Sequence, residues 1–272
     1  MTLDPPIPPR EAIAEVHVRA PSRGNRRLER LLEAVNDDVQ LKAWWHVSAV
    51  NATRRLGLSD HSWVHIQIVV NIGLRLARLL FRRGVTPSVV TDYAMTNRDA
   101  EVVVAAACLM HCVGMSIHRD DHERYSLFLT ADKLGSLLET AYEEPERSII
   151  AAEAMHAIIG HRRAGAPFTI EAGIVRVADA LDMARGRSRV PFEAGHLNIH
   201  SLSAYAIDDV KISAGRDRAV RVEIAMSNSA GIFQVDELLA EKLRGSGLEE
   251  HIEVIARIDA EHEQRLIPVF RI

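Results

Sequence analysis

The chain has 272 residues, 47% of them hydrophobic, and a formal net charge of -4. That supplies enough apolar sequence for one large or two smaller domains with a real core, and the near-neutral balance gives no whole-protein signal for nucleic acid. No apolar run reaches the roughly 18 residues of a membrane span without a charge or a histidine, and the Pro-rich start Met1–Arg10 lacks the basic and apolar regions of a secretory signal.

Residues 1–22 are rich in proline and then arginine, which predicts a flexible tail. From Asn25 to Leu56 the spacing of Leu28, Leu31, Leu32 and Val35 predicts one or two helices, with Asn36-Asp37-Asp38 as turn and cap and Trp44 and Trp45 as packing anchors. Ser59-Asp60 is expected to cap a helix running from His61 to Arg83, closed by Gly84. That helix would carry His61 and His65 four residues apart on one face.

The stretch Asp99–Gly114 is apolar on nearly every side, which marks a buried helix ending in Leu109-Met110-His111-Cys112-Val113-Gly114. A histidine there costs free energy unless it has a partner. Cys108 and Cys112, the two cysteines of the chain, lie four apart on this helix. They provide no disulfide framework, so a reducing cytoplasm is the expected compartment.

A helix from His122 to Thr140 follows a polar loop, and its N-terminal dipole is expected to keep His122 neutral and fit to bind metal. Pro145-Glu146 starts a helix that ends near Gly160 and bears His156, with His161 just after it. Thr169 caps a further helix, Ile170–Ala184, in which Asp179 interrupts an apolar run; a buried carboxylate must be paired or hold a metal. Asp182, one turn on, is expected to cap or to form a salt bridge. Beyond residue 189 the pattern alternates at Asp208–Ser213, Ala219–Met226 and His251–Ile258, with a helix at Asp236–Leu243. The expected architecture is mainly α: a flexible tail over 1–22, a helical domain over 23–195, and a small α+β domain over 196–272 built as strand, strand, helix, strand.

Histidine, carboxylate and thiolate are the ligand types for Zn, Fe, Mn or Ni, and here they come from several helices. Two such ions a few ångströms apart would clamp a phosphate and turn a bridging water into hydroxide. The segments Asp60–His65, Leu109–Met115, His118–Glu123, Ala154–Arg162 and Val177–Met183 resemble, in content and order, the HD-domain superfamily of metal-dependent phosphohydrolases. The resemblance covers about residues 58–190. It implies a helical bundle and hydrolysis of a nucleotide or related small phosphate ester. It also implies one or two divalent ions (Zn, Fe or Mn), with His65, His111 and Asp179 on the first and His122, His161 and His156 as candidates for the second.

The sequence departs from that pattern at Cys112, which stands where the family has Asp. A thiolate offers one soft donor atom in place of two hard oxygens. Three readings follow: an altered-metal enzyme in which Cys112 is a ligand, a weakened enzyme, or a regulatory module that binds nucleotide without turnover. A di-iron oxygenase is a further alternative, because related helical folds perform oxygen chemistry. Arg163 and Arg185, close after His161 and Asp179, are the preferred phosphate contacts, ahead of Arg119, Lys133, Arg187 and Arg189. No membrane partner is expected, and the oligomeric state is left open, a homodimer included.

Overall fold

The structure is a computed structural model and describes residues 7–184, 203–258 and 269–271. Nine α-helices come first among the described residues: α1 Pro9–Ala14, α2 Arg26–Asp37, α3 Val39–Ala49, α4 Trp63–Arg82, α5 Ser88–Tyr93, α6 Asn97–Met110, α7 His122–Leu138, α8 Glu146–Gly160 and α9 Ile170–Leu181. A π-helical stretch, Val50–Arg55, extends α3. Next come β1 Ile207–Ala214 and β2 Val220–Met226, a helix α10 over 234–243 that is π-helical to Ala240, then β3 Ile252–Ile258 and β4 Val269–Arg271. The fold is mainly helical, with a small α+β unit at the C-terminal end, as the sequence pattern predicts.

Helix α6 is the centre, with residues 102–110 all buried and α2, α4, α8 and α9 packed around it. The stretch Asn97–Ser116 is long and apolar enough by composition to cross a bilayer, but it is 89% buried inside the protein as a core helix. Its start is fixed by Asp99, whose Oδ2 accepts from Thr96 N–H and Oγ–H at 2.9 and 2.7 Å. Its end is fixed by two donors to otherwise orphaned carbonyls. Trp45 Nε1 donates to Leu109 O at 3.1 Å, and His111 Nδ1 donates to Cys108 O at 2.8 Å. Trp45 is therefore a packing anchor that also closes the helix.

Gly114, expected as the stop signal, lies beyond the helix end. Its backbone N–H donates to Ser126 Oγ at 2.9 Å, and a Cβ at this position would overlap the His122 carbonyl. The glycine is needed for the close approach of the 113–116 turn to the start of α7.

Four strands form one sheet in the order β1-β2-β3-β4. The β1–β2 and β3–β4 pairs are antiparallel; β2–β3 is parallel, and α10 lies in the crossover that a parallel pair requires. Alternation predicts β1 to β3; β4, three residues long, is too short to show a period. Val220, Val222, Ile224 and Met226 of β2 are buried in the same apolar cluster as the helices, and α4 packs on β1 and β2. The expected boundary at 195/196 lies outside the described residues.

Two expectations change. The flexible tail does not extend over residues 7–22: α1 is helical, Val16 and Val18 are buried, and Val18 exchanges two hydrogen bonds with the Asn36 side chain, at 2.8 and 3.0 Å. Asn36 acts as a strand-like partner for an extended segment, which proline and arginine content conceals. Helix α4 begins at Trp63 because Ser62 caps it, its Oγ accepting from Val64 N–H at 3.1 Å. His61 therefore precedes the helix and does not share the helical face of His65.

Because Gly114 admits no side chain, Gly114→Ala is expected to cost about 2 kcal/mol or more and to displace the start of α7. Urea unfolding of the two proteins checks this; an unchanged midpoint would show that the turn has room to yield.

Candidate metal centre

Three helices bring three donors to one point. His65 Nε2 and His111 Nε2 are 3.2 Å apart, and Asp179 Oδ1 lies 3.7 and 3.6 Å from them. A triangle with these sides has its centre about 2.0 Å from each corner, the Zn–N and Zn–O bond length. Each imidazole is oriented through its other nitrogen, as metal-binding histidines generally are. His65 Nδ1 donates to Asp182 Oδ2 at 2.6 Å, and His111 Nδ1 donates to the Cys108 carbonyl. Asp182, expected to cap or to form a salt bridge, accepts a hydrogen bond from a site histidine. The donor set and its spacing fit a divalent transition metal.

Two more histidines extend the cluster. His161 caps α8, donates from Nδ1 to Ile158 O, and stacks edge-on with His111 at a centroid distance of 5.0 Å. His122 opens α7, its ring centroid 5.8 Å from that of His161. The ligand atoms of His122, Glu123 and His161 lie within 4.8 Å of one another, as do those of His111, His161 and Asp179. Sulfur is present as well: Cys112 Sγ lies within 4.8 Å of the donors of His65 and His111, and Cys112 is buried.

His156 does not join them. It stacks on Phe168 at 3.7 Å between centroids, and its Nε2 accepts from Phe168 N–H at 3.3 Å. Five residues separate His156 from His161, about 140° around a helix, so the two cannot face the same point.

Among the expected phosphate contacts, Arg163 lines the cavity rim, paired with Glu241 at 2.7 Å, and Arg119 lines it too. Lys133 instead pairs with Asp38. Arg185, Arg187 and Arg189 lie outside the described residues. Residues that sequence reasoning missed are Glu123, beside His122, and Lys242 of α10. Lys242 Nζ is 3.6 Å from Asp179 Oδ2 and donates to the His161 carbonyl. Nothing in the local sequence around Lys242 marks it, because its neighbours at the site come from α8 and α9.

Burial and charge divide the histidines. Burial lowers His161 well below the ordinary imidazole value, helped by the positive charges of His111 and Lys242. Burial also lowers His122 to about 4 against the pull of Glu123, with Arg119 and His111 adding to the drop. His122 is neutral as expected, and burial is the main cause. His111 moves the other way: burial opposes its charge, yet Cys112 and Asp179 beside it outweigh burial and push it up to about 10. With Nδ1 engaged by the Cys108 carbonyl, His111 Nε2 faces the triangle where a cation would sit.

The sequence profile described as HD domain matches residues 59–184. A relative from Methanocaldococcus jannaschii, "Uncharacterized protein MJ1020", is 37% identical over 215 residues, which are 79% of this chain and 83% of the relative. The chain belongs to the HD-domain superfamily. No solved structure matches it. HD domains generally bind divalent metals, and the clustered donors all fall within the matched segment. The HD match stops before α10, so Lys242 is an addition from outside it.

Since His111 holds its proton up to about pH 10 in the metal-free protein, a metal must displace it. Zn binding near pH 7.5 is expected to release a proton from His111, and apparent affinity should fall about tenfold per unit as pH drops. Calorimetric titration in two buffers of different ionisation enthalpy measures this. Equal heats in both buffers would contradict a charged His111.

Proposed function

We propose that the protein is a metal-dependent phosphohydrolase acting on a nucleotide or a related small phosphate ester. The observation that carries this is the triangle of His65 Nε2, His111 Nε2 and Asp179 Oδ1, with sides of 3.2 to 3.7 Å. His65, His111 and Asp179 would hold one ion, and His122, His161 and Glu123 a second. When bound, the metal polarises the phosphoryl group and lowers the pKa of water to near neutrality.

The protein's own residues supply the rest. The cluster opens on a cavity of about 530 Å³, in the range of small-molecule sites. Arg119, Arg163 and Lys242 give it positive charge for a phosphate, and Leu58, Met183 and Leu238 give it an apolar wall for the rest of the ester. Asp182 holds His65 in the tautomer that leaves Nε2 facing the donors. The substrate class rests on this mixture of cations and apolar wall together with the family's chemistry.

A second reading is favoured by Cys112. An HD domain that lacks the usual Asp loses a two-oxygen donor, and such a domain can bind a nucleotide without turning it over. The sulfur's place beside His65 and His111 supports instead an enzyme with a softer ligand set, suited to Zn or Fe.

Phosphatase and phosphodiesterase assays on a nucleotide panel, with Zn, Fe, Mn and Mg in turn, separate the readings. Cys112→Asp is close in size and is expected to bind Mn or Mg more tightly and to raise turnover with them about tenfold, roughly 1.4 kcal/mol in the barrier. Loss of metal in Cys112→Ala identifies a ligand; unchanged metal identifies a bystander. No hydrolysis by parent or Cys112→Asp with any of the four metals would overturn the enzymatic reading.

A further inference from the structure

The two oxygens of Asp179 face different partners. Oδ1 is the atom that closes the triangle, 3.7 Å from His65 Nε2 and 3.6 Å from His111 Nε2. Oδ2 lies 3.6 Å from Lys242 Nζ. The same ammonium donates to the His161 carbonyl, so one lysine touches two separate elements of the metal centre. The Lys242 side chain is 17% exposed and the Asp179 side chain 18%, at the wall of the cavity.

Lys242 is itself held in place. Arg176, three residues before Asp179 on α9, is buried at 2% exposure. Its guanidinium donates to Lys242 O at 2.8 Å and Glu241 O at 3.3 Å on α10, to Arg163 O at 3.0 Å, and to Arg162 O, just after His161. A buried arginine is costly unless its five donors are used, and here they are spent on backbone carbonyls that join α10 to the turn carrying His161. A second close approach braces the same joint: a Cβ on Gly173 of α9 would overlap the Ser246 carbonyl.

We propose that Lys242 is a positioning residue of the metal centre, supplied by the C-terminal α+β unit: held by Arg176, it binds Asp179 Oδ2 and so presents Oδ1 alone to His65 and His111. An unrestrained carboxylate rotates and can chelate with both oxygens. The contact with Lys242 removes that freedom, as outer partners of metal ligands commonly do. The α+β unit is thereby part of the centre. The inference rests on the metal site proposed above, and its test includes one arm that needs no metal.

The direct probe is Co²⁺ added alone to the metal-free full-length protein, read by its visible d–d absorption, which weakens as coordination number rises. Affinity is the poorer readout, because removing a cation near a ligand carboxylate also strengthens its attraction for metal. Lys242→Met keeps the stem and loses the charge; its Co²⁺ spectrum is expected to weaken as Oδ2 joins the first shell, and Lys242→Arg is expected to restore the parent band. Lys242→Gln serves in place of Lys242→Met if that variant does not fold. Identical spectra for parent and Lys242→Met would overturn the proposal.

If the parent takes up no Co²⁺, the metal site fails, and the metal-free arm decides the Lys242–Asp179 contact. Urea midpoints of Lys242→Met, Asp179→Asn and the double variant form a cycle. A double-variant shift smaller than the sum of the single shifts is expected; additive shifts would overturn the contact as well.

Discussion

The centre depends on one constraint repeated three times: each core imidazole is held by a hydrogen bond from Nδ1, which leaves Nε2 to face the cluster. The acceptors are Asp182 for His65, the Cys108 carbonyl for His111 and the Ile158 carbonyl for His161. Two of these acceptors are main-chain atoms of the helix that carries the ring. The helix ends of α6 and α8 therefore orient their own histidines, and the carbonyls that a helix end leaves unpaired are satisfied by the same contact. Site geometry and helix termination are one problem with one solution. Trp45, closing α6 from the side, and Ser126, whose Oγ donates to the His111 carbonyl at 2.9 Å, hold that solution in place.

Much of this could be read from the sequence. His65, His111 and Asp179 stand out because each interrupts an apolar helical pattern, and a buried polar group requires a partner. The three indeed converge. The strands β1 to β3 declare themselves by alternation. What escaped was phase and distance. His156 and His161 look equivalent in sequence, and only their angular separation around the end of α8 divides them. Ser59-Asp60 reads as the cap, yet Ser62 caps α4, which moves His61 off the helix. The segment 7–22 reads as a tail by composition, yet Val16 and Val18 find a buried place against α2. Lys242 gave no local signal, since its partners, the Asp179 carboxylate and the His161 carbonyl, lie about 60 to 80 residues earlier in the chain.

Cys112 is as buried as the histidines around it. Cys112 and Asp179 together raise the proton affinity of His111. The metal-free centre thus carries an internal positive charge, the His111 imidazolium, close to where a cation would sit. Lys242 adds a second positive charge at the edge, on the far oxygen of Asp179.

In the proposed centre His65, His111 and Asp179 share one metal. X-ray absorption at the metal edge, on untagged protein purified without chelator, tests it directly. The expected result is nitrogen and oxygen neighbours at about 2.0 to 2.2 Å with the outer-shell scattering of imidazole, and a sulfur at about 2.3 Å if Cys112 is a ligand. A shell of oxygen alone, with no imidazole scattering, would contradict it.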